Sequence, residues 1–317
     1  MIKISLYPLL VRANTIEDAW YKCLYLLTAE KGEPTILDPN GELGWQSYAR
    51  EYKVSLGSFE NQEIRREFDD ITIHIKNPGA SRRDLNTSQG LLPSIPEALK
   101  EMVDPPADAE YVDNVYLPYL LTGMKESSED YTYGERINSP IVRIKSNSLN
   151  IKCNDYDVKS SEDGDQYKLV TSSSTNLSLT ENNNNLTRVF EIESDVSQVE
   201  RVIEIYRSGN FNTNQATMEI GSPLDIELRD PPCLRIIDTR VDDENKLHFR
   251  LYFRSWDLWG GFPANLAGLQ MMKEYMVYRI NEGNDVKVKD GEIVVSSKGL
   301  HLYGYQFDWA KTVTYRT

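Results

Sequence analysis

Apolar residues at Trp20, Cys23, Leu24 and Leu27 recur three and four apart, the spacing of one helix face, and Asn14-Thr15-Ile16-Glu17-Asp18 places two overlapping capping boxes ahead of them. The pattern predicts a helix over residues 15–31 that stops near Gly32, with Cys23 a small buried hydrophobe on its inner face. Asp70-Ile71-Thr72-Ile73-His74-Ile75 alternates as a half-buried strand does, with His74 on the solvent side, and Asn77-Pro78-Gly79 ends it. Helical spacing returns at 199–205. Leu234 to Val241 and Lys246 to Ser255 read as a hairpin across Asp242-Asp243-Glu244-Asn245, with Leu247, Phe249, Leu251 and Phe253 on one face and His248, Arg250, Tyr252 and Arg254 on the other. A helix opened by Asn265 carries Leu266, Leu269, Met272, Met276 and Ile280 inward and closes at Gly283. A last strand, 293–303, puts His301 and Tyr303 on one side.

Between Ser146 and Arg188 the apolar periodicity lapses into Ser, Asn and Asp, too few apolar residues for a core, so the segment reads as a polar surface insertion. Its pieces at 167–170 and 150–152 are expected to pair as a small hairpin, and 182–185 to form a loop tip.

Composition narrows function by exclusion. At 317 residues, 40% hydrophobic and 26% charged, the chain is long enough for one sizeable core. A net charge of −14 and a pI near 4.8 repel a phosphate backbone over most of the surface, which argues against nucleic acid as a partner. No run reaches the length of a membrane span and the first residues lack a signal-peptide pattern, so no membrane partner is expected and the protein reads as soluble and cytoplasmic. Cys23, Cys153 and Cys233 cannot all pair with one another and show no metal-ligand spacing, so no metal site is expected.

Three blocks in order carry a resemblance: Pro231-Pro232-Cys233; then Phe253-Arg254-Ser255-Trp256-Asp257-Leu258-Trp259-Gly260-Gly261-Phe262-Pro263-Ala264-Asn265; then Gly299-Leu300-His301-Leu302-Tyr303. In order and spacing they resemble thymidylate synthase and the pyrimidine-nucleotide hydroxymethylases, and Tyr131-Thr132-Tyr133-Gly134-Glu135-Arg136 is similar to that family's Tyr-Gly segment. The resemblance implies an α/β fold: a twisted, mostly antiparallel sheet stacked on the same sheet of a second subunit in a homodimer, with helices on the other face. It implies Cys233 as nucleophile, Arg254 as thiol activator and phosphate ligand, Ser255 at the phosphate, Asp257 and Asn265 at the base, Gly261 in the substrate loop, and His301 and Tyr303 at the deoxyribose 3′-hydroxyl. The substrates it implies are a pyrimidine deoxynucleotide monophosphate and a reduced folate, 5,10-methylenetetrahydrofolate.

The chemistry of these side chains agrees. Carbon 5 of uracil becomes nucleophilic only after a nucleophile adds to C6, and a thiolate both adds and leaves well. A nearby guanidinium lowers a thiol pKa, and Arg254 is placed to do so. An amide such as that of Asn265 offers one donor and one acceptor, matching O4 and N3–H of uracil, where an Asp would suit cytosine better; Asn265 can serve as a helix N-cap at the same time. Deoxyuridylate methylation is the leading expectation, deoxyuridylate or deoxycytidylate hydroxymethylation the alternative, and a non-catalytic nucleotide- or RNA-binding relative a third reading, against which the retained Cys233 and Arg254 speak.

Three departures mark the chain. Where the family carries an Arg-Arg pair that reaches across the dimer to phosphate, this sequence has Asn214-Gln215, which hydrogen-bond without charge; Arg65-Arg66 or Arg82-Arg83 are the candidates to compensate. The family's tryptophan segment on the folate side is not recognisable and the sequence ends 14 residues after Tyr303, so Trp256 and Trp259 are expected to cover the folate instead. The catalytic carboxylate is left open among Glu97, Glu101, Glu110 and Asp113.

Overall fold

The computed structural model describes residues 8–29, 49–54, 63–81, 84–125, 131–139 and 197–315, together with the strand backbone at 36–37, 43–44, 141–146, 156–160, 167–171, 175–181 and 188–194. The architecture is mixed α/β. Its centre is a six-stranded mixed sheet in the order Leu9–Ala13, Ile71–Ile75, Lys289–Ser297, Lys246–Phe253, Leu234–Val241 and Thr217–Glu219. The first two strands run parallel, as do the third and fourth, and the remaining neighbours are antiparallel. A four-stranded sheet, Trp256–Asp257, Leu300–Tyr303, Ile64–Phe68 and Ala49–Lys53, lies beside the site described below.

The alternating segments behave as their patterns predict. Ile71, Ile73 and Ile75 are buried while His74 turns outward to Glu292, Nε2 to Oε2 at 2.5 Å. Leu247, Phe249, Leu251 and Phe253 are buried, and the hairpin turn is held by Asp242 Oδ1, which accepts from the amides of Glu244 and Lys246. Asn245 takes the positive φ (59°) that such a turn needs and that Asn tolerates. The first helix runs Ile16–Leu27: Thr15 Oγ1 accepts from Asp18 N, Asp18 Oδ2 accepts from Asn14 N, and Cys23 is fully buried. It stops at Thr28, whose hydroxyl returns to Leu24 O, short of the expected Gly32, which lies outside the described residues. The helix expected at 199–205 spans Gln198–Arg207, capped by Ser197.

Two boundaries differ. The long helix begins at Gly261, four residues before Asn265, because Asp257 Oδ2 accepts the amides of Gly260 and Gly261 and caps its first turn. Pro263 then sits in that turn, where its missing N–H costs nothing, and Asn265 lies inside the helix instead of capping it. The helix ends at Asn281, with Gly283 left-handed at φ 73° as the sequence implies. The strand expected at 293–303 is broken: Lys289–Ser297 belongs to the central sheet and Leu300–Tyr303 to the smaller one. The crossing point is Gly299, where a Cβ would come within 3.2 Å of Arg65 and 3.3 Å of Glu67.

The strands Ile141–Ser146, Tyr156–Ser160, Tyr167–Thr171, Thr175–Glu181 and Arg188–Ser194 form an antiparallel sheet that, among the described residues, hydrogen-bonds only within itself. Tyr167–Thr171 pairs with Tyr156–Ser160 and with Thr175–Glu181; the partner expected at 150–152, the 182–185 loop tip and Cys153 lie outside the described residues. Among the described residues no helix is long and apolar enough to cross a membrane, and no cluster of His, Cys, Asp and Glu is arranged to hold a metal.

The long helix buries Lys273 completely. Its ammonium donates to Gly291 O, meets Asp290 Oδ1 at 3.2 Å and lies over the Phe249 ring at 6.0 Å; burial holds its pKa below the ordinary 10.5. The unfolded chain therefore binds more protons than the folded one in the window just below 10.5, and this residue's contribution improves as pH rises through it. Lys273→Met is expected to be within about 2 kcal/mol of wild type, the relief from desolvating a charge being set against the buried Gly291 carbonyl left without its donor. Any advantage of Met should shrink as pH approaches 10.5, measured as the difference between urea midpoints of the two proteins; a difference independent of pH would show that Lys273 is not held below its ordinary value.

Candidate active site

Cys233 stands immediately before the strand Leu234–Val241, and the register of the hairpin brings Arg254 beside it: Arg254 N donates to Cys233 O at 2.8 Å. The Arg254 side chain folds back over the Pro-Pro turn, donating from Nε to Pro231 O and Pro232 O at 3.2 Å each and meeting Asp230 Oδ1 at 3.3 Å. Tyr133 closes another side, its Oη accepting from Leu234 N at 3.3 Å, and Tyr131 and Tyr133 both lie in the electrostatic reach of the thiol. Burial pushes the Cys233 thiol above its ordinary value; Arg254 pulls it down in the expected direction, as do Arg65 and Arg235, while Asp230 pushes it up. The expectation of a lowered thiol is thus corrected. Withdrawal from water outweighs the cations, and Arg254 already shares its charge with Asp230 and two carbonyls.

Of the paired arginines, Arg65 reaches this site and Arg66 does not. Adjacent residues of the strand Ile64–Phe68 point to opposite faces. Arg66 binds Glu51 and covers Phe307, whereas the Arg65 terminal nitrogen donates to Ser255 Oγ at 2.8 Å and Gly299 O at 3.3 Å and pairs with the buried Glu67 at 2.7 Å. The Arg65 charge also acts on Cys233, His301 and Tyr303. Sequence spacing offered no means of choosing Arg65, 190 positions from Ser255. Arg82 and Arg83 lie outside the described residues.

His301 is buried, and its Nδ1 donates to Gly299 O at 2.8 Å, because a carbonyl can only accept. Burial, then the Arg65 charge, hold its pKa down to about 3, so the ring is neutral and Nε2 is a buried acceptor without a hydrogen-bond partner. The Tyr303 ring meets it edge-on at 4.8 Å, and burial pushes the Tyr303 phenol up to about 12. This pair remains the candidate for a sugar hydroxyl.

Asp257 and Gly261 need correction as substrate contacts. Asp257 Oδ1 accepts from Trp259 N and Gln306 Nε2, both at 3.2 Å, and Oδ2 from the amides of Gly260 and Gly261, both at 2.9 Å. Four accepted bonds fill a carboxylate, so Asp257 shapes the loop and helix start, and the Gly261 amide is spent on it. Trp256 and Trp259 are core residues, not a cover over a ligand. Trp256 stacks on Phe253 at 4.0 Å and Phe262 at 4.5 Å, and Trp259 packs between Trp20 and Trp309. Asn214 and Gln215 are exposed beyond the edge strand Thr217–Glu219. They lie near the far end of Leu234–Val241, about 20 Å along the strand from Cys233. Within one chain they do not join the site. Glu97, Glu101 and Glu110 are exposed, and the Asp113 carboxylate accepts from Thr87 Oγ1 and Ser88 N.

A cavity of about 310 Å³ opens beside Tyr131 and Tyr133, walled further by Tyr111, Val115, Tyr116 and Tyr119. Tyr116 lies against Gly268 of the long helix, its buried hydroxyl beside the Asn265 side-chain amide; burial pushes the phenol pKa up and that amide pulls it down. This tyrosine wall was not read from the sequence beyond its Tyr131–Arg136 segment.

A family model described as thymidylate synthase matches residues 162–317. A Methanosarcina acetivorans protein named "Putative thymidylate synthase" is 23% identical over 304 residues, covering 96% of this chain and 94% of the relative. One of the same name from Methanosarcina mazei is 29% identical over 119 residues, 38% of this chain and 52% of the relative, so that match spans about half of the relative's length. The crystal structure of thymidylate synthase from T4 phage aligns at 21% identity and a TM-score of 0.33, covering 38% of this chain and 40% of that one.

Proposed function

Through residues 162–317 the chain belongs to the thymidylate synthase family, and from that premise we propose that it transfers a one-carbon unit to C5 of deoxyuridylate while Cys233 is bonded to C6 of the base. The observation that carries this reading is the grouping around a single half-buried thiol of two arginines, a serine hydroxyl, a neutral histidine and a tyrosine-lined cavity. Nucleophile, anion ligands and sugar acceptor are what this substrate requires.

Each side chain then has a defined task. Arg65, Ser255 and Arg254 receive the phosphate; its negative charge draws guanidinium away from Asp230 and Glu67, the present partners. His301 Nε2 accepts the 3′-hydroxyl. Asn265 reads the base edge, and Cys233 Sγ adds to C6 as thiolate, leaving C5 electron-rich. The cavity's aromatic walls suit a flat bicyclic ring, and its volume is at the lower end for ligand sites. Methylenetetrahydrofolate, held there, supplies the one-carbon unit and, for a methyl product, the hydride. A homodimer would let Asn214 and Gln215 meet a partner's phosphate, as the resemblance implies.

The deciding experiment is a product assay with deoxyuridylate and methylenetetrahydrofolate, following absorbance and the nucleotide mass. Methylation is expected, with one dihydrofolate formed per thymidylate. Turnover without dihydrofolate assigns the hydroxymethyl product instead, and no turnover with retained nucleotide binding would leave only a binding protein.

A further inference from the structure

The side-chain amide of Asn265 is held in one orientation. Its Oδ1 accepts from Trp256 Nε1 at 3.0 Å. An indole N–H is a donor only, so the oxygen must face it; turning the amide over would set N–H against N–H and leave a buried donor unpaired. The indole itself cannot swing to accommodate such a turn. It is 2% exposed, lies parallel to Phe253 (5° between planes) and against Phe262, and its backbone amide is tied to Gly299 O at 2.9 Å. Beside the amide stands the buried Tyr116 hydroxyl, whose phenol pKa is raised by burial and lowered, to a lesser degree, by a hydrogen bond with the Asn265 side chain.

We propose that Trp256 is a specificity-determining positioning residue: by fixing the Asn265 amide it makes the site accept a uracil edge and reject a cytosine edge. The inference rests on the deoxyuridylate reading above and deepens it. An amide free to turn over is ambivalent, since one orientation matches O4 and N3–H of uracil and the other matches N3 and the N4 amine of cytosine. With Oδ1 committed to Trp256 by one lone pair, the second remains for the uracil N3–H, and Nδ2 is left to donate to O4. Cytosine meets donor against donor at its N4 amine and acceptor against acceptor at N3. Asn265 alone therefore does not set the choice; the indole behind it does.

The test compares binding of deoxyuridylate and deoxycytidylate to the full chain, wild type against Trp256→Phe, with melting temperatures recorded. Wild type is expected to favour deoxyuridylate on the order of 100-fold. Trp256→Phe should narrow that ratio about tenfold or more, chiefly through gained affinity for deoxycytidylate, an effect that loosened packing alone does not produce. Should the Phe variant fold poorly, replacing Trp256 by 3-benzothienylalanine keeps the ring system and removes only the N–H, with the same narrowing expected. An unchanged ratio in a folded variant, an equal loss for both nucleotides, or a wild type that favours deoxycytidylate overturns the proposal while leaving nucleotide chemistry intact. A wild type that binds neither nucleotide overturns the functional reading itself.

Discussion

Cys233→Ala is expected to abolish turnover, lowering kcat by on the order of 10⁴-fold or more, while melting within about 2 °C of wild type. Removing the atom that bonds to C6 leaves the cavity and anion ligands in place, so nucleotide binding should persist in the same variant. Exposure as well as position favours this thiol: Cys233 is partly accessible, whereas Cys23 is fully buried and its thiol pushed far up by burial. With 5-fluorodeoxyuridylate and reduced folate, a covalent adduct should therefore map by mass spectrometry to the peptide containing Cys233. Because burial also raises Cys233, its alkylation by iodoacetamide in the free protein should be slow at neutral pH and accelerate as pH rises, each unit exposing more thiolate until the thiol has titrated. A turnover-competent Cys233→Ala protein, or an adduct on Cys23, would remove the covalent mechanism.

The sequence disclosed what depends on local periodicity. Leu247, Phe249, Leu251 and Phe253 alternate because one face of their strand is buried, and Leu266, Leu269, Met272, Met276 and Ile280 recur at helical spacing although residues 266–273 of that helix are buried on every side, so both elements were legible in outline. What escaped depends on contacts between distant positions. The long helix starts early because a carboxylate at Asp257 happens to reach two glycine amides, a geometry that no spacing rule signals. Trp256 and Trp259 were expected to cover the folate, yet their rings fill the space between the hairpin, the first helix and the long helix. Arg65 resembled ordinary surface charge until the antiparallel pairing of Ile64–Phe68 with Leu300–Tyr303 carried it to Ser255 and Gly299. The motif named most of the site; the pairing of strands decided which of its residues face a ligand and which hold the frame.

Gly134→Ala is expected to have the largest structural effect of any single methyl addition in the described residues. A Cβ at Gly134 would lie 1.5 Å from Tyr119 O and 2.5 Å from Tyr119 C, both backbone atoms that cannot rotate aside. The helices Leu117–Thr122 and Tyr133–Asn138 meet at this point, clamped by Asn138 Nδ2, which donates to Leu120 O at 2.7 Å and Gly134 O at 3.0 Å. To admit the methyl they must separate, and overpacking against backbone costs about 3 kcal/mol or more, equivalent to a fall of roughly 6 °C or more in melting temperature. Gly283→Ala provides the comparison: at φ 73° with nothing within 4 Å it carries only conformational strain, about 1 kcal/mol. The displaced helices also carry Tyr119 and Tyr133, two walls of the cavity beside Cys233, so Gly134→Ala should weaken folate binding beyond the loss explained by unfolding, while Gly283→Ala should not. Urea unfolding of the two variants side by side checks the first part and folate titration of the folded fraction the second; equal midpoints would show that the helices at Gly134 yield far more easily than a 1.5 Å approach to backbone allows.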